Sequence, residues 1–408
     1  MEKKISYGKL FIEMLKISTF TFGGGFVIIG MMQKKFCDEL HWVSDEEVLD
    51  MTAIAQSAPG ALAVNSAIIF GYRMGGIQGV LVSTLATIIP PLVIISIICN
   101  IYDAFSTNKI IQIALQVMKE IGYDEEYHVL VKVNKQSSEI NGAVAHDEIS
   151  AGDQGIMFGY ADDETEELMP YAIITAHKLA KKLEEVRRQT PFLRPDGKTQ
   201  VTAEYVDGKL TRVDTIVVST QHTADVTQEE IRKCIKEQVI DPVIDPSLVD
   251  ENTKYLINPS GSFVLGGSWG DSGTTGRKIV VDTYGGYAPI GGGCFSSKDP
   301  TKVDRSAAYY ARYVCKNLVA NGLAHKCQLE LSYAIGVQQP ISVYVKSFGT
   351  SKYSDDELQA IVLKNFDFSV KNIIDELDLR RPIYRETVNY GHFGKKDLPW
   401  EQFKKIEL

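Results

Sequence analysis

Residues Ala114–Val133 read ALQVMKEIGYDEEYHVLVKV. The first five close a half of the chain that is poor in charge and reads as membrane-like. The last five, VLVKV, read as a strand of a soluble protein. No Pro-rich, Gly/Ser-rich or charged linker separates the two. Residues 1–118 hold 8 Lys/Arg and 9 Asp/Glu, whereas 119–408 hold 35 and 43. The net charge of −9 therefore falls almost entirely on the second part. This asymmetry predicts two unlike parts, 1–118 and 119–408, in a chain whose length suits two or three domains.

The acidic balance and the lack of a sustained basic stripe exclude general nucleic-acid binding. The cysteines at 37, 99, 234, 294, 315 and 327 are scattered, with no C-x-x-C pair. They read as reduced, cytosol-facing thiols and not as a disulfide framework or zinc site. Glu13 and Lys16 interrupt the first apolar run, so no cleavable signal peptide is expected.

Between Arg73 and Asp103 lies an uncharged run, MGGIQGVLVSTLATIIPPLVIISIICNIY. About 20 apolar residues cross a bilayer core, so this run is long enough to span with tilt. Pro90-Pro91 would break a helix in water but is tolerated among packed membrane helices. Two further uncharged runs, Met51–Tyr72 and Ile17–Gln33, are interrupted by Pro59-Gly60 and by Gly23–Gly25. Both fit buried core helices or broken membrane hairpins. The expectation is an all-α membrane segment of two to three spans.

TFTFGGGFVIIGMM (19–32), LDMTAIAQSAPGALAVNSAIIFGYRMGGIQG (49–79) and IIPPLVI (88–94) together resemble the chromate ion transporter family over about Lys9–Ile101. The resemblance implies an anion carrier whose short members work as pairs of half-size chains. Ala61 stands where that family often has a second Pro, and the pattern stops near Met118.

The remainder alternates. Strand-like runs fall at 129–133, 214–219, 278–282, 327–333 and 341–346, and helical patterns at 168–188, 226–238, 305–321 and 355–364. A sheet-and-helix protein of α/β or α+β type follows. Its polar chemistry concentrates in ISAGDQGIMFGYADDETEE (149–167) and in residues 257–306, which hold 11 of the 33 glycines. Glycines let backbone N–H groups approach an anion, Lys/Arg supply charge, and carboxylates hold Mg²⁺ against phosphate oxygens. Turn-rich β-structure with a solvated charged rim fits the same composition. Neither G-x-x-x-x-G-K-[ST] nor the dinucleotide fingerprint occurs.

AGDQGIMFGYADDETEELMP (151–170), FLRPDGKTQVT (192–202), VVSTQH (217–222), GDSGTTGRKIVVDTYGG (270–286), GGGCFSSKDPTKVDRSAAYYARYV (291–314) and YGHFGKKDLPWE (390–401) occur in that order. Over 119–408 the chain resembles the S-adenosylmethionine synthetase (methionine adenosyltransferase) family, which joins methionine to ATP. The resemblance implies an α+β fold and a homodimer or dimer of dimers, with the synthetase part in the cytoplasm. Membrane association is expected through residues 1–118, from their apolar runs and the transporter resemblance. Lys198, Arg277, Lys278 and Lys298 are implied at the polyphosphate. Asp196, Gly197, Ser262, Phe263 and Cys294 are implied beside the nucleotide. Asp271 should contact adenosine and methionine, Gln136 and Lys302 should face methionine, and Asp153 should hold the methionine amine or the adenosine ribose. Asp304 is implied as the Mg²⁺ carboxylate, with K⁺ a second ion of the family. Residues from Gln136 to about Ile149 would form a mobile lid.

Cys294 and Ser297 replace the Ala and Gly common in the family and are expected only to trim space. His177 is expected at the surface of an amphipathic helix, and His222 in a structural role. The family opens with Glu-Gly-His-Pro-Asp-Lys, whose His acts on the leaving triphosphate and whose Asp binds Mg²⁺. No His here is followed by Pro-Asp. Impaired turnover is therefore expected. A chromate/anion transporter half carrying a soluble domain, or an inactive chimera, are the alternatives. Each resemblance stops on the side facing Ala114–Val133, which reads as a breakpoint.

Overall fold

The computed structural model describes residues 6–20, 25–58, 61–106, 109–123, 127, 129–131 and 149–408. Contacts divide the chain into two compact units, Met1–Glu120 with Glu125–Val131, and Ile121–Asp124 with Lys132–Leu408.

In the first unit, α1 spans Tyr7–Phe20, α2 Gly25–Met32, α3 Asp45–Ser57, α4 Leu62–Ser106 and α5 Lys109–Ile121. A π-helical stretch, Gln33–Glu39, prolongs α2. Ser44 and Glu47 cap α3 reciprocally, each side chain taking the other's backbone N–H. α1, α3 and α4 share a core around Leu10, Met14, Phe36, Val48 and Phe70.

The long helix α4 is not straight. At Gly75–Gly76 the backbone leaves helical geometry, with Gly76 at φ +56°. Beyond it the chain folds back: Ser83 Oγ donates to Ala67 O at 2.6 Å. A Cβ on Gly79 would stand 2.0 Å from Gly71 O. Small residues let two helix backbones approach this closely. The first limb, Leu62–Met74, reaches roughly 20 Å at 1.5 Å per residue, short of a hydrocarbon core of about 30 Å. The second limb continues through Pro90 and Pro91. By length and composition Leu62–Ser96 is the one described stretch apolar enough to cross a membrane. With the reversal, only its second limb, about 30 Å from Ile77 to Ser96, has the length to do so. The second and third of the two to three expected spans have no such helix among the described residues: α1, α2 and α3 are 14, 8 and 13 residues long.

The second unit carries two three-stranded sheets. β1 (Gly155–Asp162), β5 (Lys326–Tyr333) and β6 (Ser342–Lys346) lie antiparallel in the order β1–β5–β6. β2 (Leu193–Val206) and β3 (Lys209–His222) form an antiparallel ribbon, and β4 (Lys254–Ile257) joins β3 in parallel. α9 (Val303–Ala320) packs on the first sheet with nearly every residue buried. A Cβ on Gly159 of β1 would lie 2.1 Å from Ala311 O, so only glycine admits this helix–strand contact. α6 (Tyr171–Arg187) serves both cores: Ile173 and Ile174 pack with the first sheet, Leu179 and Leu183 with the second. The remaining helices are α7 (Gln228–Ile235), α8 (Ile279–Asp282), α10 (Asp355–Asn365) and α11 (Val370–Glu376).

Two expected strands are corrected. Residues 278–282, rich in β-branched side chains, form the helical turn α8: Asp282 N–H donates to Lys278 O at 2.8 Å, and no strand among the described residues flanks them. Of 129–133, residues 129–131 are not strand and the last two lie outside the described residues.

Candidate functional site

The entry to β1 meets the N-terminus of α9. Gly152 N–H donates to Thr301 O at 2.9 Å, and a Cβ on Gly152 would crowd Lys302 Nζ at 2.9 Å. Asp153 is half-buried and its carboxylate accepts from Gln154 N at 2.9 Å. Asp304, in the first turn of α9, is 8% exposed. Its carboxylate pairs with the Lys298 ammonium. Glycines surround it: a Cβ on Gly293 would lie 2.1–2.4 Å from the carboxyl atoms, and one on Gly155 3.5 Å away. Arg305 is buried and donates from Nη1 to Lys298 O at 2.8 Å, fixing the loop that carries Lys298.

A second group gathers where β2 begins and β3 ends. Asp196 accepts from Gly267 N at 2.9 Å, while its own N–H donates to Gln221 Oε1 at 3.3 Å. Gln221 Nε2 donates to Val264 O at 3.0 Å. His222 holds Phe263 twice, its N–H donating to Phe263 O and its Nε2 accepting from Phe263 N, both at 3.0 Å. His222 Nδ1–H donates to Thr223 O at 2.7 Å, which fixes the neutral tautomer. Gly197 and Lys198 pair with Thr220 and Ser219 across the ribbon. Lys198 and Ser262 are exposed.

The loop 265–278 runs between these groups. It is tied to the second at Gly267 and to the first at Gly276 (φ +78°), whose Cβ would stand 2.6 Å from Cys294 Cβ. Cys294 thus packs as a half-buried thiol under the residue preceding Arg277. Asp271 is exposed and accepts from Ser272 N at 2.7 Å. Arg277 and Lys278 are exposed too. Neither they nor Lys198 nor Lys302 makes an ion pair among the described residues. Gln136, and the expected lid as far as residue 148, lie outside the described residues.

For a divalent cation this part offers Asp304, set in its glycine cradle. Mg²⁺ is commonly held by one or two carboxylates plus substrate phosphates and waters, so the donor set fits an ion arriving with a polyphosphate. Among the described residues the one three-membered acidic or thiol cluster, Cys37, Asp38 and Asp45, lies in the other unit.

Ser297 takes φ +69°, so its replacement of glycine strains the backbone and does more than trim space. His177 also departs from expectation. It is 7% exposed, and Nε2–H donates to Val281 O at 3.1 Å while Nδ1 is buried without a partner among the described residues. Burial holds its pKa down at about 4. Sequence reading missed Gln221, for which the VVSTQH motif at a strand end was the only signal.

This α+β unit presents lysine and arginine from two glycine-rich loops beside a buried carboxylate. Residues 148–263 match the S-adenosylmethionine synthetase central domain, and 265–402 its C-terminal domain. Residues 8–122 match the chromate transporter family. An S-adenosylmethionine synthase of Clostridium tetani is 55% identical over 303 residues, covering 70% of this chain and 78% of that protein. The chain belongs to the S-adenosylmethionine synthetase family, joined at its N-terminus to a chromate-transporter segment.

Proposed function

We propose that residues 119–408 form an S-adenosylmethionine synthetase that binds ATP and methionine, with turnover impaired by the lack of a His-Pro-Asp segment. The observation that carries this reading is electrostatic. Lys198, Arg277, Lys278 and Lys302 lack anionic partners among the described residues, while Lys298 is held beside a buried Asp304. Attack of methionine sulfur on ribose C5′ expels triphosphate and creates a sulfonium, so the barrier is one of charge separation. Pre-placed cations facing the leaving group lower that barrier, each typically contributing about 10²–10³ in rate. Arg277, Lys278 and Lys298 take this role, with Lys198 reaching the phosphates from β2.

Asp196, Gly197, Ser262, Phe263 and Cys294 border the nucleotide, Asp196 and Phe263 already fixed by Gly267 and His222. Asp271 contacts adenosine and methionine, and Gln136, Asp153 and Lys302 receive methionine. Asp304 would hold Mg²⁺, which when bound neutralises phosphate charge. K⁺ enters as the family's second ion. The chain assembles as a homodimer or dimer of dimers through this part. Residues 1–118 associate with the membrane while the synthetase part stays in the cytoplasm. The second limb of α4 and the 8–122 match support an alternative use of the N-terminal unit as an anion-carrier half.

Adenosylmethionine formation by the purified full-length chain, with ATP, methionine, Mg²⁺ and K⁺, tests the impairment. Trace product is expected. Steady-state turnover at the level of an intact synthetase assayed alongside would overturn it.

A further inference from the structure

The segment Tyr390–Gly394, YGHFG, belongs to the sequence resemblance yet has no part in the substrate contacts above. In the fold it packs against α6 and the end of α8. His392 N–H donates to Asp282 O at 2.9 Å, and Trp400 Nε1 donates to His392 O at 2.8 Å. The His392 ring continues the chain of contacts. Arg305 Nε donates to the Tyr309 hydroxyl oxygen at 3.0 Å, so the Tyr309 proton goes to His392 Nδ1, 2.7 Å away. Arg305 in turn holds Lys298 O. On the other flank Gly391 (φ +70°) closes over His177, where a Cβ would stand 2.3 Å from Cε1. His177 donates to Val281 O.

Val281 and Asp282 are the last residues of α8, which begins directly after Arg277-Lys278. A four-residue helix cannot sustain itself. Val280 and Val281 are 41% and 47% exposed, so apolar burial fixes this turn poorly. Beside the local bonds of Thr283 and Gly285, its last two carbonyls are held by residues distant in sequence, Val281 O by the His177 ring and Asp282 O by the His392 backbone N–H.

We infer that His177 and His392 are positioning residues for the triphosphate cations. By gripping α8 from two sides they hold Arg277 and Lys278 in fixed relation to Lys298. The inference rests on the synthetase reading of Arg277, Lys278 and Lys298. The His177 imidazole works in the neutral form, since burial keeps it at about 4. His392 instead reaches α8 through its backbone N–H and turns its ring to the Tyr309 hydroxyl.

The test is calorimetric titration of the full chain with inorganic tripolyphosphate plus Mg²⁺, and separately with adenosine. Loss of one such hydrogen bond corresponds to roughly tenfold weaker binding. In His177→Leu, tripolyphosphate should bind about tenfold more weakly while adenosine stays within about twofold. His177→Gln, which can donate from the same height, should restore most of the affinity. Tyr309→Phe keeps the ring stacked on Trp400 at 3.7 Å and removes only the hydroxyl joining Arg305 to His392. It should weaken tripolyphosphate about threefold, and it serves as the folded variant should His177→Leu not fold. Unchanged tripolyphosphate binding in the folded variants, or equal loss of both ligands, overturns the inference. An unsubstituted chain that binds no tripolyphosphate overturns the synthetase reading beneath it.

Discussion

The Lys298 ammonium rests on the Asp304 carboxylate, at the N-terminus of α9 and inside a cradle that only glycine at 293 permits. On the proposed synthetase reading, this pair sets the charge of the loop that meets phosphate before any ligand arrives. Asp304→Asn frees Lys298 while removing the cation ligand. Tripolyphosphate binding without Mg²⁺ should strengthen severalfold, and the gain that Mg²⁺ gives the unsubstituted chain should vanish. Titrations with and without Mg²⁺ check both signs; a persisting Mg²⁺ gain would place the ion elsewhere.

Ser297 occupies left-handed backbone at φ +69°. A non-glycine residue there carries strain on the order of 1 kcal/mol. Ser297→Gly should therefore raise the stability of the synthetase part by up to about 1 kcal/mol, read from urea unfolding.

Arg312 and Glu401 are both fully buried and meet through two hydrogen bonds, at 3.0 and 2.9 Å. Lys316 adds a third contact to the same carboxylate at 2.8 Å. Breaking a buried pair from one side leaves an uncompensated charge, so Glu401→Gln should cost about 3–5 kcal/mol. Replacing the pair together by apolar residues should remain costly, because it also strips Lys316 of its carboxylate and orphans the carbonyls of Tyr160, Glu167 and Leu168 that Arg312 satisfies. A full double-variant cycle measures the coupling.

Stability should fall in mild acid. Desolvation depresses His177 to about 4, aided by Lys395, and His392 to about 3, aided by Arg305 and Lys395. The unfolded chain takes up protons below about pH 6.5 while these buried rings stay neutral. Their contribution is thus present above pH 6.5 and lost as pH falls toward 4 and 3. Asp162 acts in the opposite sense. Burial, then Glu164, raises it to about 6, so its contribution is present below 3.8 and lost as pH rises through 6. Two histidines outweigh one carboxyl, leaving a net loss of about 2 kcal/mol from pH 7 to pH 5. Urea unfolding at the two pH values checks the sign, and His177→Phe should reduce the slope.

The strands 214–219, 327–333 and 341–346 and the helices around 168–188 and 305–321 were legible because their periodicity matches their burial. β5 alternates with Cys327, Leu329, Leu331 and Tyr333 inward. β2 was not legible: Pro195 and Gly197 punctuate its start, and its outward residues are polar. The uncharged run after Arg73 is plain in the sequence, while the reversal at Gly75–Gly76 depends on a contact between Gly71 and Gly79 that no run length reveals. His177 looked like a surface residue because what covers it, Gly391, lies more than two hundred residues away. At the site, the loop residues were found through motif resemblance. The groups holding them, Gln221, Arg305 and His392, act through backbone carbonyls and N–H groups and leave little local signature.

Titration of the purified 408-residue chain with MgATP tests the synthetase reading most directly. Saturable binding is expected, weakened about tenfold or more in Lys198→Ala and in Arg277→Ala, since charge-assisted contacts are the stronger kind. No MgATP binding, or binding indifferent to both substitutions, would contradict it.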